Sequence, residues 1–220
     1  PGIRGDHECA TVEEMHARIS RGMYVLLRQG SACHDLRTLV HGVTPANSRR
    51  CVLCSDDRQP KTIFSEGHID SHLRICVEEG LDPVTAIQMA TLNAAECWQL
   101  NDRGAIAPGL RADIVLLDDL KDFHVNRVWL AGKLCAQEDE YLLEVHRHDI
   151  SSVKGSVHLK DFSVDRLRLP LKSDWAHVIQ ILPGGVVTQN RVARITRDAD
   201  GSFVRDPNVD IVKVAVVERH

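Results

Sequence analysis

The sequence has 220 residues, 43% of them hydrophobic and 26% charged, which disfavours a disordered or fibrous chain. Its formal net charge of −4 gives no general attraction to nucleic acid or anionic membranes. No apolar run approaches the roughly 20 residues of a membrane helix, and the start does not resemble a signal peptide. Seven cysteines, an odd number, favour reduced thiols over a disulfide framework. We therefore expect a globular, cytoplasmic protein that binds neither nucleic acid nor membrane.

The first hundred residues alternate between helix and strand patterns. Thr11 and Glu14 have the spacing of a capping box, and residues 12–20 carry apolar side chains at helical spacing. The apolar runs 23–27 and 51–54 each end in a polar turn, which is typical of strands buried on both faces. Further helices are expected at 33–40, 67–79 and 83–90. This order predicts βα units around a parallel sheet, and hence an α/β fold.

The pattern changes near residue 104. Short strands joined by turns are predicted at 105–118, 125–130 and 132–135. An acidic, histidine-bearing segment, 139–150, is predicted to be a linker or domain boundary. Beyond it, apolar alternation predicts strands at 153–159, 178–182 and 209–217.

Polar side chains follow two of the predicted strands. His7 follows the short apolar opening of the chain, and Asp56 follows the run 51–54. Because reactive residues of α/β sheets and barrels gather at the carboxyl ends of strands, these two side chains are expected to converge. An imidazole and a carboxylate suit Zn, Mn or Fe(II). Their separation defines no motif, so Asp56 as a helix cap and His7 as an ordinary loop histidine remain alternatives.

Other motifs give weaker signals. Cys51 and Cys54 match C-x-x-C, but in a strand these positions point to opposite faces, which argues against a redox or zinc pair. His146 and His148 could form a metal tract, although a solvated linker is the favoured interpretation. Neither a dinucleotide-binding glycine motif nor a phosphate-binding loop occurs in the sequence.

Two consecutive stretches carry a family resemblance. Residues 80–96, GLDPVTAIQMATLNAAE, and 102–118, DRGAIAPGLRADIVLLD, resemble the closing segment of the amidohydrolase superfamily. In that pattern the last barrel helices carry A-x-x-x-A-T-x-N-x-A, and the chain returns to a small β-sandwich through G-x-I-x-x-G-x-x-A-D-[ILV]-V. Within the superfamily, five short segments and the C-terminal run resemble the bacterial adenine deaminases. The five segments are DHEC at 6–9, RQGS at 28–31, NSRR at 47–50, CSDDR at 54–58 and EGHID at 66–70.

The resemblance implies a domain organisation. Residues 1–102 would form the last βα units of a metal-dependent (β/α)8 barrel, the C-terminal part of the amidohydrolase fold. Residues 103–138 would supply strands of a composite β-sandwich, and 139–220 the first part of a mainly β C-terminal domain. The H-x-H pair that ends the first barrel strand in this family is not found at a matching place. We therefore expect an internal fragment of a larger enzyme, inactive by itself.

The resemblance also implies an activity, the hydrolytic deamination of adenine to hypoxanthine and ammonia. His7 matches the histidine at the end of the sixth barrel strand, and Asp56 the aspartate at the end of the eighth. Both are implied to be metal ligands and catalytic residues. Four further residues at predicted strand ends are candidates for binding the substrate, with loop hydrogen bonding as the alternative: Glu8, Arg28, Ser31 and Asp57.

The implied cofactor is a divalent metal, Mn(II) or Fe(II) with Zn(II) as a further option, binuclear in the full enzyme. The implied partners are adenine and a second copy of the full enzyme in a homodimer. Two alternatives stay open. One is another superfamily hydrolase acting on a cyclic amide or amidine, such as a dihydroorotase-like enzyme or a deacetylase. The other is a non-catalytic barrel homologue. The segment 54–58 and the C-terminal run favour the deaminase.

Overall fold

The structure is a computed structural model that describes residues 2–218 of the chain. It contains two compact units, the first ending at Glu144 and the second beginning at Val145, with the segment Pro183–Val186 grouped with the first. This division falls inside the predicted linker, 139–150. The finer division into three parts stays a prediction.

A three-stranded parallel sheet opens the first unit. Its strands are β1 (Gly5–Asp6), β2 (Tyr24–Arg28) and β3 (Cys51–Cys54), with β2 in the centre. Val25 and Leu27 of β2 are fully buried, as expected for a strand covered by helices. Because side chains alternate along a strand, Arg28 lies on the face opposite to these two. The predicted parallel α/β arrangement is therefore confirmed for this part of the chain.

Within residues 2–218, six α-helices accompany these strands. They are α1 (Val12–Ile19), α2 (Leu36–Leu39), α3 (Pro60–Glu66), α4 (Ile69–Glu78), α5 (Pro83–Ala90) and α6 (Leu92–Cys97). The sequence predicts α1 and α5 closely, because each begins at a strong local signal. It extends α2 and α4 beyond their observed ends. The periodicity indicates neither α3 nor α6, although the family pattern implies helices as far as Ala95.

The local signals at the starts of α1 and α5 are hydrogen-bonded as the sequence indicates. Thr11 Oγ1 accepts from the Glu14 amide at 3.2 Å, and Glu14 Oε2 in return accepts from the Ala10 amide at 2.9 Å. Asp82 caps α5 by accepting from the Thr85 amide at 2.8 Å. Each cap satisfies backbone donors that the first helical turn leaves without a partner.

The rest of the first unit holds a four-stranded antiparallel sheet in sequence order. Its strands are β4 (Ile114–Leu117), β5 (Val125–Leu130), β6 (Lys133–Gln137) and β7 (Glu140–Tyr141). β5 matches its prediction residue for residue, whereas only the end of the predicted segment 105–118 is a strand. The β-sandwich to which these strands are assigned stays a prediction.

The second unit contains two antiparallel pairs. β8 (Trp175–Ile181) pairs with β9 (Thr188–Arg194), and the shorter β10 (Thr196–Arg197) pairs with β11 (Phe203–Val204). Of the predicted strands, only 178–182 coincides with an observed strand, β8.

The predictions of strands at 153–159 and 209–217 are wrong. The first segment follows a short 3-10 helix, Ser151–Val153, and continues as irregular backbone, and the second is irregular throughout. Alternating apolar residues form a strand only where a neighbouring strand satisfies the backbone N–H and C=O groups. Neither segment has such a neighbour among the described residues.

Two predictions from composition can be compared with the structure. All seven cysteines are free thiols, which agrees with the expectation that no disulfide framework is present. Within residues 2–218, every helix is too short or too polar to cross a membrane.

Candidate active site

His7 and Asp56 meet at the carboxyl edge of the parallel sheet. His7 directly follows β1, and Asp56 lies two residues beyond β3. His7 Nε2 is 3.7 Å from Asp56 Oδ1, and 44% of the histidine side chain and 29% of the aspartate side chain are exposed. The predicted convergence of these two residues is therefore confirmed. It arises because parallel strands bring their carboxyl ends to one edge.

Two carboxylates bridge His7 to a buried arginine. His7 Nε2 lies 3.3 Å from Glu8 Oε1 as well as 3.7 Å from Asp56 Oδ1. The other oxygen of each carboxylate faces Arg28, whose Nη1 donates to Glu8 Oε2 at 3.0 Å and lies 3.6 Å from Asp56 Oδ2. The four side chains form a closed ring in which each carboxylate contacts one nitrogen on either side.

Arg28 is held by a third acidic residue, Asp35, just before α2. Arg28 Nε donates to Asp35 Oδ2 at 2.9 Å, and Nη2 lies 2.8 Å from the same oxygen. Arg28 is 2% exposed and Asp35 6%. Burial works to lower the pKa of Arg28, but the hydrogen bonds to Asp35 and Glu8 and the charge of Asp35 outweigh it and hold that pKa above its usual range. Arg28 is therefore a permanent buried cation.

Asp57 ties the turn after β3 to the turn after β2. Its Oδ1 accepts from the Ser31 amide at 3.2 Å and its Oδ2 from the Ala32 amide at 2.8 Å. Gly30 makes this approach possible, because a Cβ at that position would overlap the Asp57 carboxylate. Both oxygens of Asp57 therefore have a backbone partner.

The Ser31 hydroxyl joins the same two turns. Ser31 Oγ accepts from the Gln59 amide at 2.8 Å and lies 2.7 Å from Thr62 Oγ1 of α3. The structure thus places Ser31 and Asp57 at the predicted edge of the sheet, engaged in contacts between loops. Their predicted role in substrate binding stays a prediction.

Arg58 adds a buried clamp behind these turns. It is 8% exposed. Its guanidinium donates to three backbone carbonyls and two side chains, those of Gln29, Gly30, Gly67, Glu66 and Ser71. Asp56 adopts a positive φ of 45° in the turn just before this clamp. A non-glycine residue keeps such a conformation where the surrounding contacts determine it, as they do here.

Several groups near Asp56 could hold a divalent metal. Within residues 2–218, Cys33, Asp56 and Asp57 each offer one ligand atom within 4.8 Å of the others. Burial raises the pKa of the Cys33 thiol, which disfavours the thiolate that binds a metal, and Asp57 already accepts two amide bonds. His7 and Asp56 remain as the better pair. Two ligands of one ion, each about 2.0–2.2 Å from it, must stand within about 4.4 Å of each other, which these two do.

Sequence reasoning missed two residues that organise the site. Asp35 gives no local signal, because nothing in the sequence shows that it faces Arg28. Arg58 is the last residue of the CSDDR segment, and its place in that segment is the one signal in the sequence that it belongs to the site. The pair Cys51 and Cys54 plays no visible part, since both are free thiols and Cys51 is buried.

Comparisons with known proteins give a consistent match. The model of the amidohydrolase family matches residues 12–135. The chain is 66% identical to adenine deaminase 2 of Desulfotalea psychrophila over 99% of its own length and 38% of the relative's. It is 51% identical to an adenine deaminase of Ligilactobacillus salivarius over 100% of its own length and 38% of the relative's. The crystal structure of a β-aspartyl dipeptidase from Fervidobacterium islandicum overlaps 61% of this chain and 37% of its own, with 22% identity and a TM-score of 0.49.

Proposed function

Because the chain belongs to the amidohydrolase family, we propose that it carries the His7–Asp56 part of a metal-dependent adenine deaminase site. The α/β part of the structure fits a partial amidohydrolase barrel. We infer that residues 1–102 supply its last βα units. The observation that carries the proposal is the approach of His7 Nε2 to Asp56 Oδ1, 3.7 Å apart at the shared strand edge. The proposed reaction is the hydrolysis of adenine to hypoxanthine and ammonia.

The relatives support this choice of substrate. The adenine deaminases of several bacteria are 40–66% identical to the chain across nearly all of its residues. The chain spans 38% of the length of these relatives. Activity is therefore proposed for an assembly that includes the remaining portion of such an enzyme.

A divalent metal fits His7 and Asp56. We propose that these two residues hold it, Mn(II) or Fe(II) with Zn(II) as the third option, since nitrogen and oxygen donors admit all three. When bound, such an ion supplies a water whose pKa is lowered far below that of free water, toward about 7. The binuclear form implied by the family resemblance requires ligands beyond this pair.

Asp56 is the proposed proton carrier. Oxygen from water bonds to C6 of the purine, and the C6–N bond to the amino group breaks. The water's two protons must end on the ring nitrogen and on the departing amine. A carboxylate at the site can accept a proton from the attacking water and return it to the amine, which then leaves as ammonia. His7, in contact with Asp56, would hold the metal and orient this carboxylate.

Glu8 is the best placed of the remaining candidates for contact with the purine ring. Its side chain is 52% exposed, so it can reach a bound ligand, whereas Arg28 is buried and the polar groups of Ser31 and Asp57 are already engaged. A carboxylate beside the purine ring can accept a hydrogen bond from a ring N–H group.

A chimera tests the proposal directly. The 220-residue chain replaces the matched segment of the Desulfotalea psychrophila adenine deaminase, and ammonia release from adenine is measured with Mn(II), Fe(II) and Zn(II). The unmodified relative is assayed in parallel. We expect turnover in the chimera, and a loss of turnover on His7→Ala with the fold retained. Light scattering on the same sample tests the expected homodimer.

A panel of cyclic amides and amidines decides between the deaminase and the other amidohydrolases. Preference for such a substrate over adenine would favour the alternative activity. A folded, metal-loaded chimera that releases no ammonia from adenine would contradict the proposal.

A further inference from the structure

Arg28 has no nitrogen left for a substrate. Nε and Nη2 both contact Asp35 Oδ2, and Nη1 lies between Glu8 Oε2 and Asp56 Oδ2. The side chain is 2% exposed. A ligand could reach this guanidinium only by displacing a carboxylate from it.

The contacts of Arg28 instead determine which way two carboxylates face. Because Nη1 attracts one oxygen of Glu8 and one of Asp56, the second oxygen of each is turned toward His7 Nε2. An arginine fork held at two nitrogens by Asp35 has little freedom to rotate. The orientation of Glu8 and Asp56 therefore depends on the contact between Arg28 and Asp35.

We propose that Arg28 and Asp35 form a buried positioning pair that orients Asp56 and Glu8 around His7. This inference rests on the proposed function, since it assigns the pair an effect on deamination. Asp35 contributes without touching the substrate, and Arg28 acts through the two carboxylates.

Removing the charges of Arg28 and Asp35 together distinguishes an effect on the orientation of the carboxylates from an effect on folding stability. Replacing a buried ion pair by apolar residues of similar size is often neutral for stability, whereas removing one partner leaves an uncompensated charge. In the chimera, Arg28→Met/Asp35→Leu should therefore melt within a few degrees of the parent. Its kcat should fall roughly 100-fold, because misplacing a reacting group by about 1 Å costs that much, while KM for adenine changes less than about threefold.

A milder variant and a matched control complete the test. Arg28→Lys keeps the charge but loses the fork, so kcat should fall about tenfold, again with KM nearly unchanged. This variant decides the question if the double variant does not fold. Arg37→Met is the control, because Arg37 pairs with Glu78 and Glu79 on the exposed surface and should leave kcat unchanged.

Two results would overturn the inference while the proposed function stands. One is a double variant that is stable and keeps the kcat of the parent chimera. The other is an Arg28→Lys variant whose KM rises strongly at constant kcat, which would indicate direct contact with adenine. An inactive parent chimera would instead contradict the proposed function.

Discussion

Two histidine–aspartate pairs in the first unit differ in every respect that matters for function. His124 Nδ1 lies 2.6 Å from Asp118 Oδ2, both side chains are about half exposed, and the residues are close in sequence. His7 and Asp56 are farther apart, at 3.7 Å, and come from distant parts of the chain. The tighter pair closes a turn between β4 and β5, whereas the looser pair lies at the sheet edge.

The difference lies in what surrounds each pair. Asp118 also accepts from Asn126 Nδ2 at 2.9 Å, so both of its oxygens have partners in the turn or at the start of β5. Asp56 faces His7 on one side and a buried cation, Arg28, on the other, at distances longer than ordinary hydrogen bonds. A closely spaced pair in which both carboxylate oxygens have hydrogen-bond partners stabilises a turn. A loose pair beside a buried charge leaves room for a third group.

The largest expected effect comes from the matched substitutions Asp56→Asn and Asp118→Asn in the chimera. Asp56→Asn removes the charge of a proposed metal ligand and the proposed proton carrier, and general acid–base catalysis alone contributes about 10²–10⁴ in rate. We expect turnover to fall by at least that range, with Asp118→Asn within twofold of the parent. The measurement is ammonia release at saturating metal.

Equal activity of the two variants would remove the distinction between the pairs. Turnover by Asp56→Asn within tenfold of the parent would show that another group carries the proton.

Gly30→Ala should produce the next largest effect by disturbing the turn that carries Asp57. The added methyl group overlaps the Asp57 carboxylate, and inserting a methyl group into a packed site costs about 1–3 kcal/mol. We expect a lower Tm and a drop in kcat, because Asp56 is adjacent in the same turn. Gly30→Ala/Asp57→Ala removes the overlap and serves as the control for it. An unchanged Tm and kcat in Gly30→Ala would show that Asp57 is free to move.

The parts of the fold that sequence predicts well are those with local signals. The observed bounds of β3 and α5 match the predicted bounds residue for residue. Each element has a signal that lies within a few residues: an apolar run that stops before Ser55, and a proline at the start of a helix. The convergence of His7 and Asp56 follows from parallel topology alone. The strand predictions at 153–159 and 209–217 are wrong, because the presence of a pairing partner is not a local property.

The ion pairs of the site cannot be predicted from the sequence either, because they too depend on contacts that no local pattern indicates. Arg28 and Asp35 are seven positions apart, a spacing with no regular meaning across a strand, a turn and a helix start. Their pairing depends on how the turn after β2 folds back over the sheet edge. Sequence could identify Arg28 as a polar residue at a strand end, but not the burial that changes its role.

A third effect concerns acid stability and again contrasts two histidines. Burial, the larger influence, lowers the pKa of His72 from 6.5 to about 4, although the carbonyls of His68 and Cys54 favour the charged ring. Asp118 instead raises the pKa of His124. The free energy of unfolding contributed by His72 is therefore present above pH 6.5 and is lost as the pH falls toward 4. That loss amounts to about 3 kcal/mol.

His124 has the opposite sign, because its contribution is fully present below pH 6.5 and is lost as the pH rises through its raised pKa. Urea midpoints of the chimera at pH 7, 5.5 and 4.5 test this contrast. The variant His72→Gln should show a smaller loss of stability on acidification than the parent. Equal losses in both would mean that His72 is protonated in the folded protein.

The smallest effect is expected for stability in Asp118→Asn. The pair with His124 is exposed, and exposed ion pairs contribute little. We expect a change in Tm of at most a few degrees. A change as large as that of Gly30→Ala would show that the turn between β4 and β5 is as important for stability as the sheet edge.

Anomalous diffraction from zinc-loaded crystals of the chimera tests whether His7 and Asp56 hold the metal, because it locates the ion relative to named atoms. We expect a zinc peak about 2.0–2.2 Å from both His7 Nε2 and an oxygen of Asp56. A peak that lies beyond bonding distance of either residue would contradict the assignment of this pair as metal ligands.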